Sequence, residues 1–121
     1  MTEILQSNFE ASIEALENSL KNAVFVALDS EFSGIRSVGG KPSLFDSNEE
    51  RYVKMKSHIS GFSIIQYGLS AFQYDAATNS YSADVYNIYL FPRSMGLGMT
   101  GLHFQSGAVE FLCRHGFDFN K

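Results

Sequence analysis

The stretch Val24-Phe25-Val26-Ala27-Leu28-Asp29-Ser30-Glu31-Phe32 decides the fold class, because five apolar residues run directly into two carboxylates. The valine-rich and aromatic run predicts a strand that is buried on both faces. Side chains alternate along a strand, so Asp29 and Glu31 project to the same side, with their Cα atoms roughly 6.5 Å apart. The two acids are therefore a candidate site at the end of this strand.

Two neighbouring carboxylates at the end of a buried strand repel each other and resist desolvation, so they need a compensating charge. A pair of divalent cations roughly 3.5–4 Å apart supplies such a charge. Asp29 and Glu31 are therefore candidate metal ligands. The alternative is a strand that runs out into a polar loop, with two solvated acids and no ligand. The two-residue motif alone leaves both interpretations open.

Composition limits the function classes. The chain has 121 residues, 45% of them hydrophobic, which suits one small folded domain. Its net charge of −4 excludes a polycation built for nonspecific duplex binding, but not a nucleic-acid enzyme, because a metal site needs carboxylates. The single cysteine, Cys113, excludes an internal disulfide and predicts a buried thiol and an intracellular location. No stretch reaches the roughly 20 apolar residues of a membrane span.

The remaining pattern predicts the order helix, strand, helix, strand, strand, helix. Capping boxes that begin at Ser7 and Ser47 predict the starts of two helices. Two extended segments, residues 62–74 and 81–91, are joined by a short polar loop and predict an antiparallel hairpin. Ser106 is predicted to cap a last helix, Gly107 to His115. This order indicates an α/β or α+β domain with a mixed sheet.

With Asp29 and Glu31 placed on a strand, the sequence resembles the poly(A)-specific ribonuclease family, deadenylases of the DEDD exonuclease superfamily. The motifs that carry the resemblance occur in the same order over nearly the whole chain: Ser7-Asn8-Phe9, Leu28-Asp29-Ser30-Glu31-Phe32-Ser33-Gly34-Ile35, Glu50-Arg51-Tyr52-x-Lys54, Gln66-Tyr67-Gly68-Leu69, Tyr86-Asn87-x-Tyr89-x-Phe91-Pro92 and Gly116-Phe117-Asp118-Phe119-Asn120-Lys121. The second of these motifs and Ser43-Leu44-Phe45-Asp46 favour the branch of PARN-like domain proteins that includes small-RNA 3′-end trimmers.

The resemblance implies a partial ribonuclease-H-like α/β exonuclease fold, with a mixed sheet and flanking helices. Residues 1–121 are then expected to be the N-terminal part of a single exonuclease domain, truncated at its C-terminal end. The implied activity is 3′–5′ degradation of single-stranded RNA from its 3′ end, either a poly(A) tail or a small RNA. Asp29 and Glu31 would be the catalytic metal ligands of a two-metal Mg²⁺ site. A homodimer and a nuclear or cytoplasmic location are further expectations.

The resemblance also assigns a nucleotide pocket to Phe32, Ile35, Val109 and Phe111. Aromatic and apolar surfaces are suited to this role, since they hold bases splayed from single-stranded RNA. Plain core packing is the alternative for the two phenylalanines and the valine. Basic residues on the second helix either meet phosphate or form a solvated helix face: Arg51, Lys54 and Lys56.

The superfamily's site needs four acids and a histidine that serves as general base, and this chain matches the first motif only. His58, His103 and His115 lack the family's spacing from a following aspartate, so all three are interpreted as structural. Two carboxylates alone hold Mg²⁺ weakly, because the ion needs further ligands or phosphate. We therefore expect the chain to be inactive on its own. The alternative function is a catalytically incomplete form that binds RNA or dimerises.

Overall fold

A computed structural model of the chain describes residues 1–35, 43–91 and 102–121. Within these ranges the helices and strands follow one another as β1 (Thr2–Ile4), α1 (Phe9–Asn22), β2 (Phe25–Phe32), α2 (Asn48–Ile59), β3 (Ile64–Asp75), β4 (Ser80–Tyr89) and α3 (Ser106–Arg114). The predicted order is confirmed, with the short strand β1 added at its beginning. A strand of three residues is too short to show a period in the sequence.

The four strands form a mixed sheet in the order β1-β4-β3-β2. β3 and β4 are an antiparallel hairpin in which Gln66 lies opposite Tyr89. β1 runs parallel to β4, with Ile4 opposite Ile88. The predicted hairpin and the predicted mixed α/β class are both confirmed.

The described residues group into two compact units. The first unit comprises Met1–Glu31, Ile65–Phe91 and Lys121, and it contains α1 and most of the sheet. The second comprises the described parts of Phe32–Ile64 and Pro92–Asn120, including α2 and α3. Across the described ranges, the helices all fall short of the length and hydrophobicity that crossing a membrane requires.

In the first unit, α1 packs on one face of the sheet. The buried core of this face consists of Ile4, Leu69, Ala71 and Tyr86, with Leu16 of α1 packed against it. Ser19 of α1 is also buried, and its hydroxyl donates a hydrogen bond of 2.8 Å to the Asp84 carboxylate and lies 2.7 Å from the Tyr86 hydroxyl. The buried hydroxyl is thus satisfied by sheet side chains, as a buried polar group must be.

β2 lies at an edge of the sheet, beside β3. Its apolar side chains are largely exposed, with Phe25 at 49% and Leu28 at 60% of full exposure. The prediction of a strand buried on both faces is therefore wrong for the described residues. Valines and aromatics in sequence indicate an extended strand, whereas burial depends on what covers the strand. Among the described strands, β2 has a neighbour on one side only.

The start of α1 differs from the prediction. The residue before the helix is Asn8 rather than Ser7, and its side chain makes no capping hydrogen bond to the helix. The Asn8 amide instead accepts a hydrogen bond of 2.7 Å from the Leu5 N–H and donates one of 3.0 Å to the Glu3 carbonyl. The predicted capping box at Ser7 is wrong, because the polar residue beside it is used to close the turn after β1.

The other helix ends follow local sequence signals more closely. The capping box of α2 is confirmed: the Ser47 hydroxyl accepts the Glu50 N–H at 3.2 Å, and the Glu50 carboxylate accepts the Ser47 N–H at 2.8 Å. The predicted last helix is confirmed, but Gln105 precedes it and Ser106 is its first helical residue, so the predicted cap at Ser106 is one residue too late. Gly116 follows this helix with a φ of +81°, a backbone conformation that favours glycine.

α3 buries one side in the second unit. Leu112 is 4% exposed, whereas the next residue, Cys113, is exposed. The prediction of a buried thiol is wrong, since consecutive helical residues point about 100° apart around the axis. After the helix, the Phe119 ring lies 4.6 Å from the Phe117 ring and 6.3 Å from the Phe104 ring. These aromatic contacts lie in the second unit, as α3 does.

Candidate metal site and base-contact residues

The predicted ligands Asp29 and Glu31 lie on β2 and line the same cleft, which has a volume of about 220 Å³. Asp29 is exposed and Glu31 is half-buried. One Asp29 carboxylate oxygen accepts the backbone N–H of Ser30 at 2.9 Å. Residues two apart on a strand share a side of it, and here both contribute to one cavity within the first unit.

The hairpin supplies the rest of this cleft. Gly68 of β3 lies opposite Asn87 of β4, and both line the cavity together with Gln66 and Ser70. A Cβ atom added at Gly68 would lie 3.6 Å from the Asp29 Cβ and 3.8 Å from the Asn87 Oδ1. Asp29 and the Asn87 amide therefore both lie next to the position where Gly68 has no side chain.

The chemistry of these donors suits a hard divalent cation. Carboxylate and amide oxygens are ligands that Mg²⁺ accepts, and this ion keeps several waters when a protein offers it only one or two carboxylates. In the part of the chain that the structure describes, no group of three or more His, Cys, Asp and Glu side chains is arranged to hold a metal. Asp29 and Glu31 thus fit a cation whose other ligands are water or phosphate oxygens.

The residues predicted to contact a base lie in the second unit, at the end of β2, just after it and on α3. Phe32, Ile35 and Phe111 are 42%, 71% and 55% exposed, and Val109 is half-buried. Core packing, the alternative interpretation of Phe32 and Phe111, does not account for side chains this exposed. Their role in base binding stays a prediction.

The segment that follows the carboxylates is anchored to the start of α3. The Ser33 carbonyl accepts the Gln105 N–H at 2.8 Å, and the Gln105 side-chain oxygen accepts the Ile35 N–H at 3.1 Å. Gly34 packs so closely on the Phe62 ring that a Cβ atom at this position would overlap it. Gly34 of the sequence motif is therefore required by local packing, and Ile35 is brought to the α3 end that leads to Val109 and Phe111.

Two of the basic and histidine side chains make local contacts within the second unit. The Lys54 ammonium lies 2.6 Å from the Asp46 carboxylate, and this hydrogen bond holds the pKa of Asp46 below its ordinary value. The His115 ring nitrogen Nδ1 lies 2.7 Å from the Phe111 carbonyl oxygen. These contacts support the interpretation of Lys54 as part of a helix surface and of His115 as a structural residue.

Sequence reasoning did not assign Gly68 and Asn87 to the site. Both stand in motifs that carry the family resemblance, but a role for them follows only from the hairpin register that places them opposite each other. The available signal was the two-residue alternation of β3, in which Gln66, Gly68 and Ser70 share one face while larger apolar residues share the other.

Comparisons with known proteins find similar sequences over nearly the whole chain. Residues 4–121 match the CAF1 family ribonuclease description. The chain is 40% identical over 120 residues to the pre-piRNA 3′-exonuclease trimmer of Bombyx mori, covering 98% of this chain and 23% of that protein. It is 39% identical over 124 residues to the poly(A)-specific ribonuclease PARN of Homo sapiens, covering 98% of this chain and 19% of that protein. The chain thus spans about a fifth of the length of these curated relatives.

A third relative and one solved structure are also similar to the chain. The poly(A)-specific ribonuclease PNLDC1 of Mus musculus is 40% identical over 117 residues, with 93% of this chain and 22% of that protein covered. The structure of S. pombe Pop2p in its Mg²⁺- and Mn²⁺-bound form superimposes with a TM-score of 0.66 at 18% identity, covering 99% of this chain and 45% of that chain. At this identity the similarity to Pop2p concerns the fold.

Proposed function

The chain belongs to the CAF1 family of ribonucleases, and we propose that it supplies the first two metal ligands of a 3′–5′ exoribonuclease that depends on divalent cations. The observation that carries the proposal is the shared cleft of Asp29 and Glu31 on β2. Two hard carboxylates on residues that line one cleft are a suitable partial ligand set for Mg²⁺. The ligands that complete the site are expected from outside the residues described above.

In this proposal the chain's own residues have two roles, one in cation binding and one in base binding. Bound divalent cations would activate a water for in-line attack and stabilise the leaving 3′ oxygen. Asp29 and Glu31 would fix where this happens, while the exposed Phe32, Ile35 and Phe111 would offer apolar surface to an unstacked base. Phe32 follows Glu31 directly in sequence, which suits a base that is bound next to the cleaved bond.

The substrate is proposed to be the 3′ end of single-stranded RNA. The relatives' names include a pre-piRNA 3′-exonuclease and poly(A)-specific ribonucleases, so both small RNA and poly(A) are candidate substrates. Association with a second copy of the chain and a nuclear or cytoplasmic location stay predictions.

The test is a chimera in which residues 1–121 replace the matching segment of human PARN. The purified chimera is expected to shorten a 5′-labelled oligo(A) in the presence of Mg²⁺, and a small RNA and oligo(C) serve as parallel substrates. Asp29→Asn should lower the rate by about a thousandfold, because the bound cations would lower the activation free energy by several kcal/mol, and this corresponds to a factor of that size.

The matched control is Asp75→Asn, which removes an exposed carboxylate from the hairpin turn and should leave the rate unchanged. An Asp29→Asn chimera that shortens oligo(A) as fast as its parent would remove Asp29 from the proposed mechanism. The ratio of rates on oligo(A), oligo(C) and small RNA then defines the substrate class.

A further inference from the structure

Asn87 is a polar residue of the cleft to which the proposed metal chemistry gives no role. It lies on β4 opposite Gly68 of β3, and its side chain extends along the same face of the sheet. The side-chain oxygen Oδ1 lies 3.8 Å from the position that a Cβ of Gly68 would take, and the Asp29 Cβ lies 3.6 Å from that same position. Asn87 and Asp29 therefore border one gap, the space next to Gly68 where this glycine has no side chain.

The amide has a defined orientation. Its nitrogen Nδ2 donates to the Met1 sulfur at 3.4 Å, which leaves the oxygen Oδ1 on the side of Gly68. An amide oxygen accepts hydrogen bonds through two lone pairs. Asn87 thus presents an acceptor toward the same gap that the Asp29 Cβ borders.

We propose that Asn87 is a positioning residue whose Oδ1 accepts a hydrogen bond from a water molecule carried by the cation at Asp29 and Glu31. This inference rests on the proposed function, since it requires that the two carboxylates hold a divalent cation. Gly68 is essential to it, because a side chain at this position would occupy the gap that the water needs.

Distance favours a water over direct coordination. β2 and β4 flank β3, so their backbones lie about 9.5 Å apart at ordinary strand spacing. A Mg²⁺ ligand must come within about 2.1 Å of the ion, and an ion bound by two carboxylates keeps several of its waters. The Asn87 side chain is therefore too short to coordinate the ion directly, and a water bound to the ion connects the ion to the Asn87 Oδ1. Such outer hydrogen bonds orient the ligands of a metal and change its affinity.

The test is a titration of the 121-residue chain with Mn²⁺, followed by the electron paramagnetic resonance signal of the free ion. Asn87→Leu keeps the approximate shape of the side chain and removes the acceptor, and it should weaken Mn²⁺ binding by about tenfold. Asn87→Asp keeps an oxygen at the same place and should bind Mn²⁺ at least as tightly as the parent chain.

The charge control is Ser82→Asp. Ser82 is exposed on β4, five residues from Asn87 and therefore on the opposite face. Its distance along the strand, about 17 Å, exceeds the range over which exposed charges act at physiological salt. Ser82→Asp should leave Mn²⁺ binding unchanged, so that a gain confined to Asn87→Asp reports a change within the cleft and not the higher net negative charge of the chain, and Asn87→Leu, which adds no charge, reports the loss of the acceptor itself.

Failure of this inference and failure of the proposed function give different results. If Asn87→Leu binds Mn²⁺ like the parent while Asn87→Asp shows no gain over Ser82→Asp, Asn87 has no positioning role. If Asn87→Leu does not fold, Asn87→Asp decides alone, and weaker binding than in the parent overturns the inference. The carboxylate site itself is excluded if the parent chain shows no saturable Mn²⁺ binding, or if the Asp29→Asn variant binds Mn²⁺ as tightly as the parent. The inference about Asn87 then fails together with the proposed function.

Discussion

The two faces of the sheet in the first unit differ in what they bury. On the face covered by α1, Ile4 is 1% exposed and Ala71 is fully buried. On the opposite face, Gly68 and Asn87 are half-buried and line the cleft together with Asp29. The same strands therefore provide the hydrophobic core on one side and the polar cleft on the other.

This difference follows from the two-residue period of a strand. Ser70 and Ala71 are neighbours in β3, yet Ser70 lines the cleft and Ala71 lies in the core. Stability and the proposed chemistry are thus separated by a single position in sequence. A substitution on the covered face should change the free energy of unfolding, whereas its neighbour on the cleft face should change it little.

The largest expected effect is that of Leu69→Ala. Leu69 is 8% exposed in the core, and its truncation should lower the free energy of unfolding by about 3 kcal/mol, from lost burial and the cavity left behind. Leu28→Ala on β2 is the matched control, since Leu28 is 60% exposed and its truncation should cost about 0.5 kcal/mol or less. Urea unfolding of both variants measures the difference.

Equal losses for Leu69→Ala and Leu28→Ala would contradict the exposure of β2. They would mean that this strand is covered in solution, and a dependence of the loss on protein concentration would then identify a second copy of the chain as the covering surface.

The next effect compares adjacent residues that receive the same side chain. Ala71→Val adds two methyl groups to a fully buried position, and overpacking of this kind should cost about 1–3 kcal/mol. Ser70→Val places a similar group on the cleft face, where the free energy of unfolding should change by less than about 0.5 kcal/mol. Thermal unfolding of the two variants checks this, and a larger loss for Ser70→Val would reverse the assignment of the faces.

Local signals in the sequence predicted much of the fold. The capping box of Ser47 with Glu50 forms as expected, because both partners lie within one helical turn. The hairpin of β3 and β4 also forms, since its two extended segments are joined by a short polar turn. Such features depend on residues that are close in sequence, and sequence patterns describe them well.

Features that depend on distant residues were not predicted. β1 exists because Ile4 pairs with Ile88, more than eighty residues away, and three residues carry no periodic signal of their own. The exposure of β2 depends on the strand's place at the sheet edge and not on its composition. The exposed Cys113 likewise depends on which side of α3 is covered.

The candidate site divides in the same way. Asp29 and Glu31 were predicted together, because two residues of one strand are related by its period alone. Gly68 and Asn87 were not assigned, because their proximity to Asp29 depends on the hairpin register and on the pairing of β3 with β2. The part of the site that lies within one strand was thus predictable, and the part that spans three strands was not.

The smallest expected effect concerns Asp75 at the end of β3, in the turn that joins the two hairpin strands. Hydrogen bonds from the Thr78 hydroxyl at 2.8 Å and the Ala77 N–H at 2.9 Å lower the pKa of Asp75 from its ordinary value of 3.8. A carboxyl with a lower pKa in the folded state stabilises the fold above its unfolded pKa, and this contribution is lost as the pH falls through the folded pKa.

Asp75→Asn should therefore lose less stability than the parent chain when the pH is lowered from about 5 to about 3. Thermal unfolding midpoints of both proteins across this range measure the difference. Asp46 and Glu50, whose pKa values are also lowered, are unchanged in the variant, so their contributions cancel in the comparison. Parallel pH profiles would show that the turn contacts of Asp75 do not stabilise the hairpin, and the faces that the hairpin builds would then owe their register to the core residues alone.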